Sequence, residues 1–399
     1  MTGEQLAARV IEAVRAAAAE PDAPQPLHEP VFEGREIAYL TECIKTGWVS
    51  SVGKFVDRFE QELAAFTGTR RAVAVANGTV ALHACLRLAG VEPGDEVLVP
   101  TLTFVGTVNP IAYAGAIPHF VDSEEATLGV DPDKLAAYLE TTLAEDGPRN
   151  RNTGRRVRAL VVMHTYGHPA RLHELAEVCD RFGLVLIEDA AESLGSYYRG
   201  THTGNTGRLA ALSFNGNKTV TTGGGGAILT NDEALGALAK HLTTTAKQPH
   251  RWAFNHDMVG YNYRMPNINA ALGCAQLEQL PGFLEAKRAL AARYLETFRE
   301  VPGARVFTEP PECRSNYWLN VLLLDPAHEA RRDAVLEATN AAGVTTRPAW
   351  TLMHRLPMFA SAPRMDLCTA ESIERRLINL PSGVGTARGR SRPTSSQGR

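Results

Sequence analysis

Between residues 72 and 230, seven short apolar runs alternate with segments of helical pattern, and this alternation limits the fold more than any other feature of the chain. The runs lie near 72–76, 96–99, 117–121, 158–163, 184–188, 210–214 and 226–230, each of strand rather than helix length. The segments near 79–89, 103–114, 172–182 and 232–245 carry helical periodicity. Strands that are apolar along their length need cover on both faces, and interleaved helices supply it. The expectation is an α/β domain on a mainly parallel seven-stranded sheet. Ligands of such sheets bind beyond the carboxyl ends of the strands.

Residues with little packing value stand just past those ends. Lys218 follows the run Ala210–Phe214 and precedes four glycines, Gly223 to Gly226, which permit close backbone approach. A loop lysine is ordinarily solvated, but this one has Ser213 five residues upstream. Asp189 ends the run that starts at Leu184; it reads either as a helix N-cap or as the partner of a cationic ring nitrogen. Glu192 reads as a first-turn acid or as a group reaching a cofactor or substrate. Asn77, Gly78 and Thr79 open a helix, where unpaired N–H groups and the dipole favour an anion. Phe104 follows the run at 96–99 and serves as a core residue or as a stacking face. His164 follows Met163 and serves as a structural histidine or as a neighbour of the cofactor. A lysine, a phosphate cradle and a carboxylate are what a protein contributes to pyridoxal phosphate chemistry.

Composition narrows the setting. A chain of 399 residues with 44% hydrophobic content can bury a large core, most naturally in two domains. The formal charge of -3 argues against a nucleic-acid or polybasic membrane surface. Six scattered cysteines without a Cys-x-x-Cys pair suit free thiols in the cytoplasm rather than disulfides or a metal site. No apolar run reaches membrane-spanning length. The division expected is an N-terminal helix and arm (1–26), a large domain (27–285), a small α+β domain (286–385) and a disordered tail (386–399). Helices are predicted near 4–20, 33–46, 54–66, 266–300, 328–342 and 369–378. A strand is predicted over Tyr317–Leu324, and a polar surface excursion over 140–158.

The chain resembles the DegT family of sugar aminotransferases, fold-type I pyridoxal-phosphate enzymes, from about Pro30 to Pro381. The segments that carry the resemblance are Thr46–Lys54, Ala76–Leu82, Pro100–Phe104, Glu188–Ser193, Ser213–Lys218 and Gly260–Leu272. It implies that Lys218 binds the cofactor's aldehyde and Asp189 its ring nitrogen. Phe104 then stacks on the ring, and Gly78, Thr79 and Ser213 hold the phosphate. Asn262 reaches the phosphate in the neighbouring subunit, which implies a homodimer with shared sites. Within the family, Pro26–Gly34, Thr46–Lys54, Glu192–Tyr198 and Thr346–Trp350 most resemble the aminotransferase of the legionaminic acid pathway.

The activity implied is transfer of an amino group from glutamate, by a ping-pong route, to a nucleotide-linked 4-keto-6-deoxy sugar. A UDP-linked N-acetylhexosamine is the first expectation and a GDP-linked perosamine-type acceptor the alternative. A dehydratase of the same family is disfavoured, because its usual mark is a histidine where Lys218 stands. An oxidoreductase reading of Gly223–Gly226 lacks the strand–Gly-x-Gly-x-x-Gly–helix order, and a gene regulator lacks a helix-turn-helix. Ser50, Ser51, His164, Arg264, Arg347 and His354 are candidates for substrate contact, each with a structural role as the competing reading.

Overall fold

In the computed structural model, which describes residues 2–389, every one of the seven apolar runs is a strand. They are β1 (Arg71–Val75), β2 (Glu96–Pro100), β3 (Ile117–Val121), β4 (Val157–Met163), β5 (Val185–Asp189), β6 (Leu209–Ser213) and β7 (Gly226–Thr230). One sheet holds them in the order β1-β7-β6-β5-β4-β2-β3. β7 runs against both of its neighbours, and the remaining pairs are parallel. The carboxyl ends of β1 to β6 therefore share one edge. β7 meets that edge with its first residue, Gly226, which pairs with both Val75 and Ser213. A Cβ on Gly226 would sit 2.5 Å from the carbonyl carbon of Asn77, so only glycine lets β7 start there.

Alternate side chains of β1 enter opposite cores. Val73 and Val75 pack with Leu82, Leu86, Val108 and Ile111, whereas Ala72 and Ala74 pack with Phe59, Leu63 and Cys274. Each large side chain so buried is worth about 1.5–3 kcal/mol. Together the two cores hold the sheet edge rigid from both faces.

A second, antiparallel sheet follows, with β8 (Ala304–Val306), β9 (Asn320–Leu324), β10 (Arg347–Pro348) and β11 (Leu377–Leu380) in the order β8-β9-β11-β10. The helix Asn267–Thr297 joins the two sheets. Its first part buries Ala270 and Cys274 against the large sheet, and its later part buries Leu290 and Tyr294 with Leu322 and Leu324 of β9. The helix Gly3–Ala17 adds Leu6, Val10 and Val14 to this second core. A capping box starts it: Thr2 accepts from the Gln5 N–H at 3.2 Å, and Gln5 accepts from the Thr2 N–H at 2.9 Å.

Several boundaries differ from expectation for local reasons. The first helix stops at Ala17 rather than near residue 20, and the helix expected near 33–46 starts at Glu36. The strand expected from Tyr317 starts only at Asn320. Ser315 to Leu319 instead form a turn in which Tyr317 takes a left-handed φ of 49°. No helix follows Asp189; the chain turns twice and enters the short strand Tyr197–Tyr198. The excursion at 140–158 is pinned, because Asn150 donates to Glu96 at 2.8 Å and Thr153 at 2.5 Å. The expected tail begins inside structure: Val384–Arg388 is a short helix, and the Ala387 carbonyl accepts from Arg293 at 2.8 Å. Its remainder, 390–399, lies outside the described residues.

Candidate active site

The shared edge opens into a cleft of about 350 Å³ whose lining includes Asn77, Gly78, Thr79, Phe104, Asp189, Glu192, Ser213, Lys218, Trp318 and Trp350. Strand ends deliver most of these groups. Two residues past the end of β1, the Asn77 side chain caps the helix Gly78–Leu88 by accepting from Val80 N–H at 3.0 Å. That leaves the first-turn N–H groups of Gly78 and Thr79 directed past the cap, in the manner of an anion site. A side chain at residue 78 is excluded by crowding, since its Cβ would lie 2.9 Å from the Cβ of Ser213. The hydroxyl-bearing end of β6 thus lies directly against this helix start.

Lys218 occupies a tight loop. Its N–H donates to the Asn215 carbonyl at 3.0 Å, and the flanking Phe214 exchanges backbone bonds with Gly225 and Thr222. The lysine side chain is 12% exposed. Its Nζ donates to Glu192 Oε1 at 3.3 Å and lies 4.0 Å from the ring centroid of Trp318. The other Glu192 oxygen accepts from the Tyr166 N–H at 2.9 Å. Burial pushes the Glu192 carboxyl up to about 7, against the opposing pull of Lys218.

Asp189, the last residue of β5, is buried. Thr107 donates to one of its oxygens at 2.7 Å and the Ala191 N–H to the other at 3.1 Å. The N-cap reading thus survives only as a single turn bond, with no helix behind it. Burial raises this carboxyl above its ordinary range, with Thr107, Ala191 and Lys218 opposing. Among the described residues, its hydrogen-bond donors are neutral. A cationic pyridine nitrogen is the complement such a carboxylate lacks, so the residues present fit pyridoxal phosphate on charge as well as on the anion cradle. Phe104, 50% exposed at the cleft, leaves an aromatic face available.

The remaining sequence candidates lie elsewhere. His164 sits behind the site rather than in it: fully buried, it bonds Glu188 at 2.9 Å through Nε2 and accepts from the Ala170 N–H at 3.2 Å through Nδ1. Ser50 and Ser51 precede the helix Lys54–Thr67, where the Ser50 carbonyl accepts from the Asn267 N–H. Asn262 and Arg264 bond each other at 3.3 Å alongside the end of β1. Arg347 is exposed and donates to Asn340 at 2.9 Å. His354 is buried against Thr101 at 2.8 Å and Glu371 at 3.3 Å. None of these lines the cleft that holds Lys218.

Sequence reading missed Thr107, Trp318 and Trp350. Thr107 had a usable signal, since it lies one helical turn after Phe104. Trp318 had none, because it arrives from the turn before β9, a hundred residues beyond Lys218.

This edge geometry is that of an aminotransferase working through pyridoxal phosphate. Residues 30–391 match the model of the DegT/DnrJ/EryC1/StrS aminotransferase family, and the chain belongs to that family. EpsN of Bacillus subtilis, assigned as a pyridoxal phosphate-dependent aminotransferase, is 37% identical over 363 residues, which cover 90% of either chain. The GDP-perosamine synthase of Vibrio cholerae is 37% identical over 361 residues, or 90% of this chain and 94% of that one. The crystal structure of the aminotransferase TlmJ from Streptoalloteichus hindustanus superposes with a TM-score of 0.81 at 29% identity, covering 92% of this chain and 97% of TlmJ.

Proposed function

We propose that this sugar aminotransferase moves the amino group of glutamate to the keto carbon of a nucleotide-linked 4-keto-6-deoxy sugar, and that the natural acceptor is GDP-linked. The observation that carries amino transfer is the placement of Lys218 Nζ beside Glu192 at the edge that also holds Asp189 and the helix start at Gly78. The GDP reading rests on the likeness to the Vibrio cholerae GDP-perosamine synthase along nearly the whole chain. The UDP-linked N-acetylhexosamine expected first from sequence is the competing acceptor.

When bound, pyridoxal phosphate supplies an aldehyde that carries the amino group and a ring that accepts electrons. Asp189 would hold its ring nitrogen, Gly78, Thr79 and Ser213 its phosphate, and Phe104 its face. Lys218 Nζ would take the proton from the α-carbon of the amino acid and place it on the cofactor carbon that has taken up the nitrogen. In the second half of the cycle it would move a proton from that carbon to the former keto carbon of the sugar. Glu192, poised near neutrality, holds the ammonium form of that lysine between transfers. Trp318 and the backbone of 215–218 keep water from the amine.

We assign Asn262 to the cleft of a neighbouring subunit, in a homodimer. Supporting this, Asn262 is exposed and outside its own cleft, and Trp252, Phe254 and Val259 just before it are exposed too. The domain division expected from sequence, with the break near residue 285 inside the helix Asn267–Thr297, and a cytoplasmic location for the six free cysteines complete the proposal. The test is a panel of GDP-, UDP- and dTDP-linked 4-keto-6-deoxy sugars with glutamate, read as aminated product by mass spectrometry. Amination of the GDP sugar ahead of the others supports the reading. Preference for the UDP-linked acetamido sugar replaces the acceptor, and no amination of any of them refutes the reaction.

A further inference from the structure

Lys287 is a fully buried lysine that the proposed chemistry does not use. It lies on the helix Asn267–Thr297 and has three partners, the most an ammonium can serve. Its Nζ bonds the Ser382 carbonyl at 2.6 Å, the Trp318 carbonyl at 3.2 Å and His28 Nε2 at 3.1 Å. These come from three distant stretches: the segment after β11, the turn before β9 and the arm after the first helix. Burial lowers the lysine to about 7 and holds His28 well below its ordinary value, so the imidazole is neutral and accepts. An amine buried this deeply is costly to keep, and among the described residues it is satisfied by these three acceptors rather than by a carboxylate, which fixes two backbone carbonyls and one ring together.

One of those positions is next to the reactive amine. Trp318 gives its carbonyl to Lys287, its Nε1 hydrogen to the Asn217 carbonyl at 2.8 Å, and its ring face to Lys218 Nζ at 4.0 Å. Its own N–H is held by Asn316 at 2.8 Å, and Asn316 in turn donates to the Glu192 carbonyl at 2.9 Å. The turn therefore touches both members of the Lys218–Glu192 pair, and Lys287 is its anchor from behind.

We propose that Lys287 is a positioning residue: by gripping the Trp318 carbonyl and His28 together, it holds the indole over Lys218 and ties the reactive lysine to the second sheet. The grip acts on the environment of Lys218 whichever sugar is the acceptor.

Labelling of the cofactor-free protein with acetic anhydride, followed residue by residue by mass spectrometry, reads that environment directly. Exposed Lys45 serves as the internal reference. In Lys287→Met the stem is kept and the donors are lost, and labelling of Lys218 relative to Lys45 is expected to rise about tenfold, the effect of losing one hydrogen bond to a charged group on a local opening. Tyr294→Phe, which removes another buried bond from the same helix (to Pro381, 2.8 Å), is expected to leave that ratio unchanged. If Lys287→Met does not fold, His28→Leu removes one acceptor of the grip and is expected to raise the ratio in the same direction. A folded Lys287→Met, or failing that a folded His28→Leu, with the wild-type ratio overturns the proposal, as does an equal rise in Tyr294→Phe.

Discussion

Replacing Glu192 with glutamine changes how the stability of the cofactor-free protein depends on pH, and the sign follows from its surroundings. The carboxyl is buried between the Tyr166 N–H and Lys218 Nζ, and burial moves it from 4.5 to about 7 in the folded chain. Below 4.5 the group is protonated in both states and its contribution is fully present. From there to about 7 the unfolded chain releases the proton while the folded chain keeps it, so stability falls as pH rises. The interval corresponds to about 3 kcal/mol in total. Glutamine keeps the bond to Tyr166 but does not titrate, so this falling limb disappears. Lys218→Met removes the cation that holds the folded-state carboxyl down, so the limb still starts at 4.5 but extends to higher pH. Thermal melts of the three cofactor-free proteins from about pH 5 to about pH 8 make the comparison. Wild-type and Glu192→Gln curves that run parallel across that range would refute the burial and pairing of Glu192 derived from the structure.

Other substitutions separate the parts of the site. Gly78→Ala places a Cβ 2.9 Å from that of Ser213, so it should cost about 1–3 kcal/mol and weaken pyridoxal phosphate binding measured by titration calorimetry. Gly216→Ala, in open space, should leave binding unchanged. Thr107→Val removes the 2.7 Å donor to Asp189 and lets its carboxyl rise further. Cofactor affinity should then drop most at the acid end of the range, read from dissociation constants at several pH values. His164→Leu strands Glu188, which also accepts from the Gly204, Thr206 and Gly207 N–H groups. Breaking such a buried pair costs about 3–5 kcal/mol, visible as a lower melting temperature, while KM for both substrates stays the same.

How far the sequence was readable follows from the range of the forces involved. The seven strands were legible because each is a continuous apolar run, and their burial on both faces is what makes them so. Gly78, Asp189, Ser213 and Lys218 were legible because parallel strands bring their carboxyl ends to one edge whatever the loop lengths. The reversed direction of β7 left no mark in its residues; it is set by pairing with β1, far away in the chain. His164 looked like a site residue by the same edge argument, and failed because its ring turns back to Glu188 rather than out to the cleft. Trp318 and Lys287 were invisible for the opposite reason. Their roles depend on where the second sheet meets the first, and no local pattern encodes that contact. The turn at Asp189 misled in a small way, since an acid followed by two alanines has helix-start composition yet the segment is spent on reaching Tyr197.

Amino transfer in this site depends on the Lys218 amine. The most direct measurement is the glutamate half-reaction in a single turnover, with enzyme loaded with pyridoxal phosphate in excess of glutamate and 2-oxoglutarate quantified after quenching. Wild-type protein is predicted to form 2-oxoglutarate up to the amount of glutamate added, and Lys218→Ala, loaded to the same level, to form none on that timescale. Equal yields from the two proteins at equal rates would show that the Lys218 amine is not required.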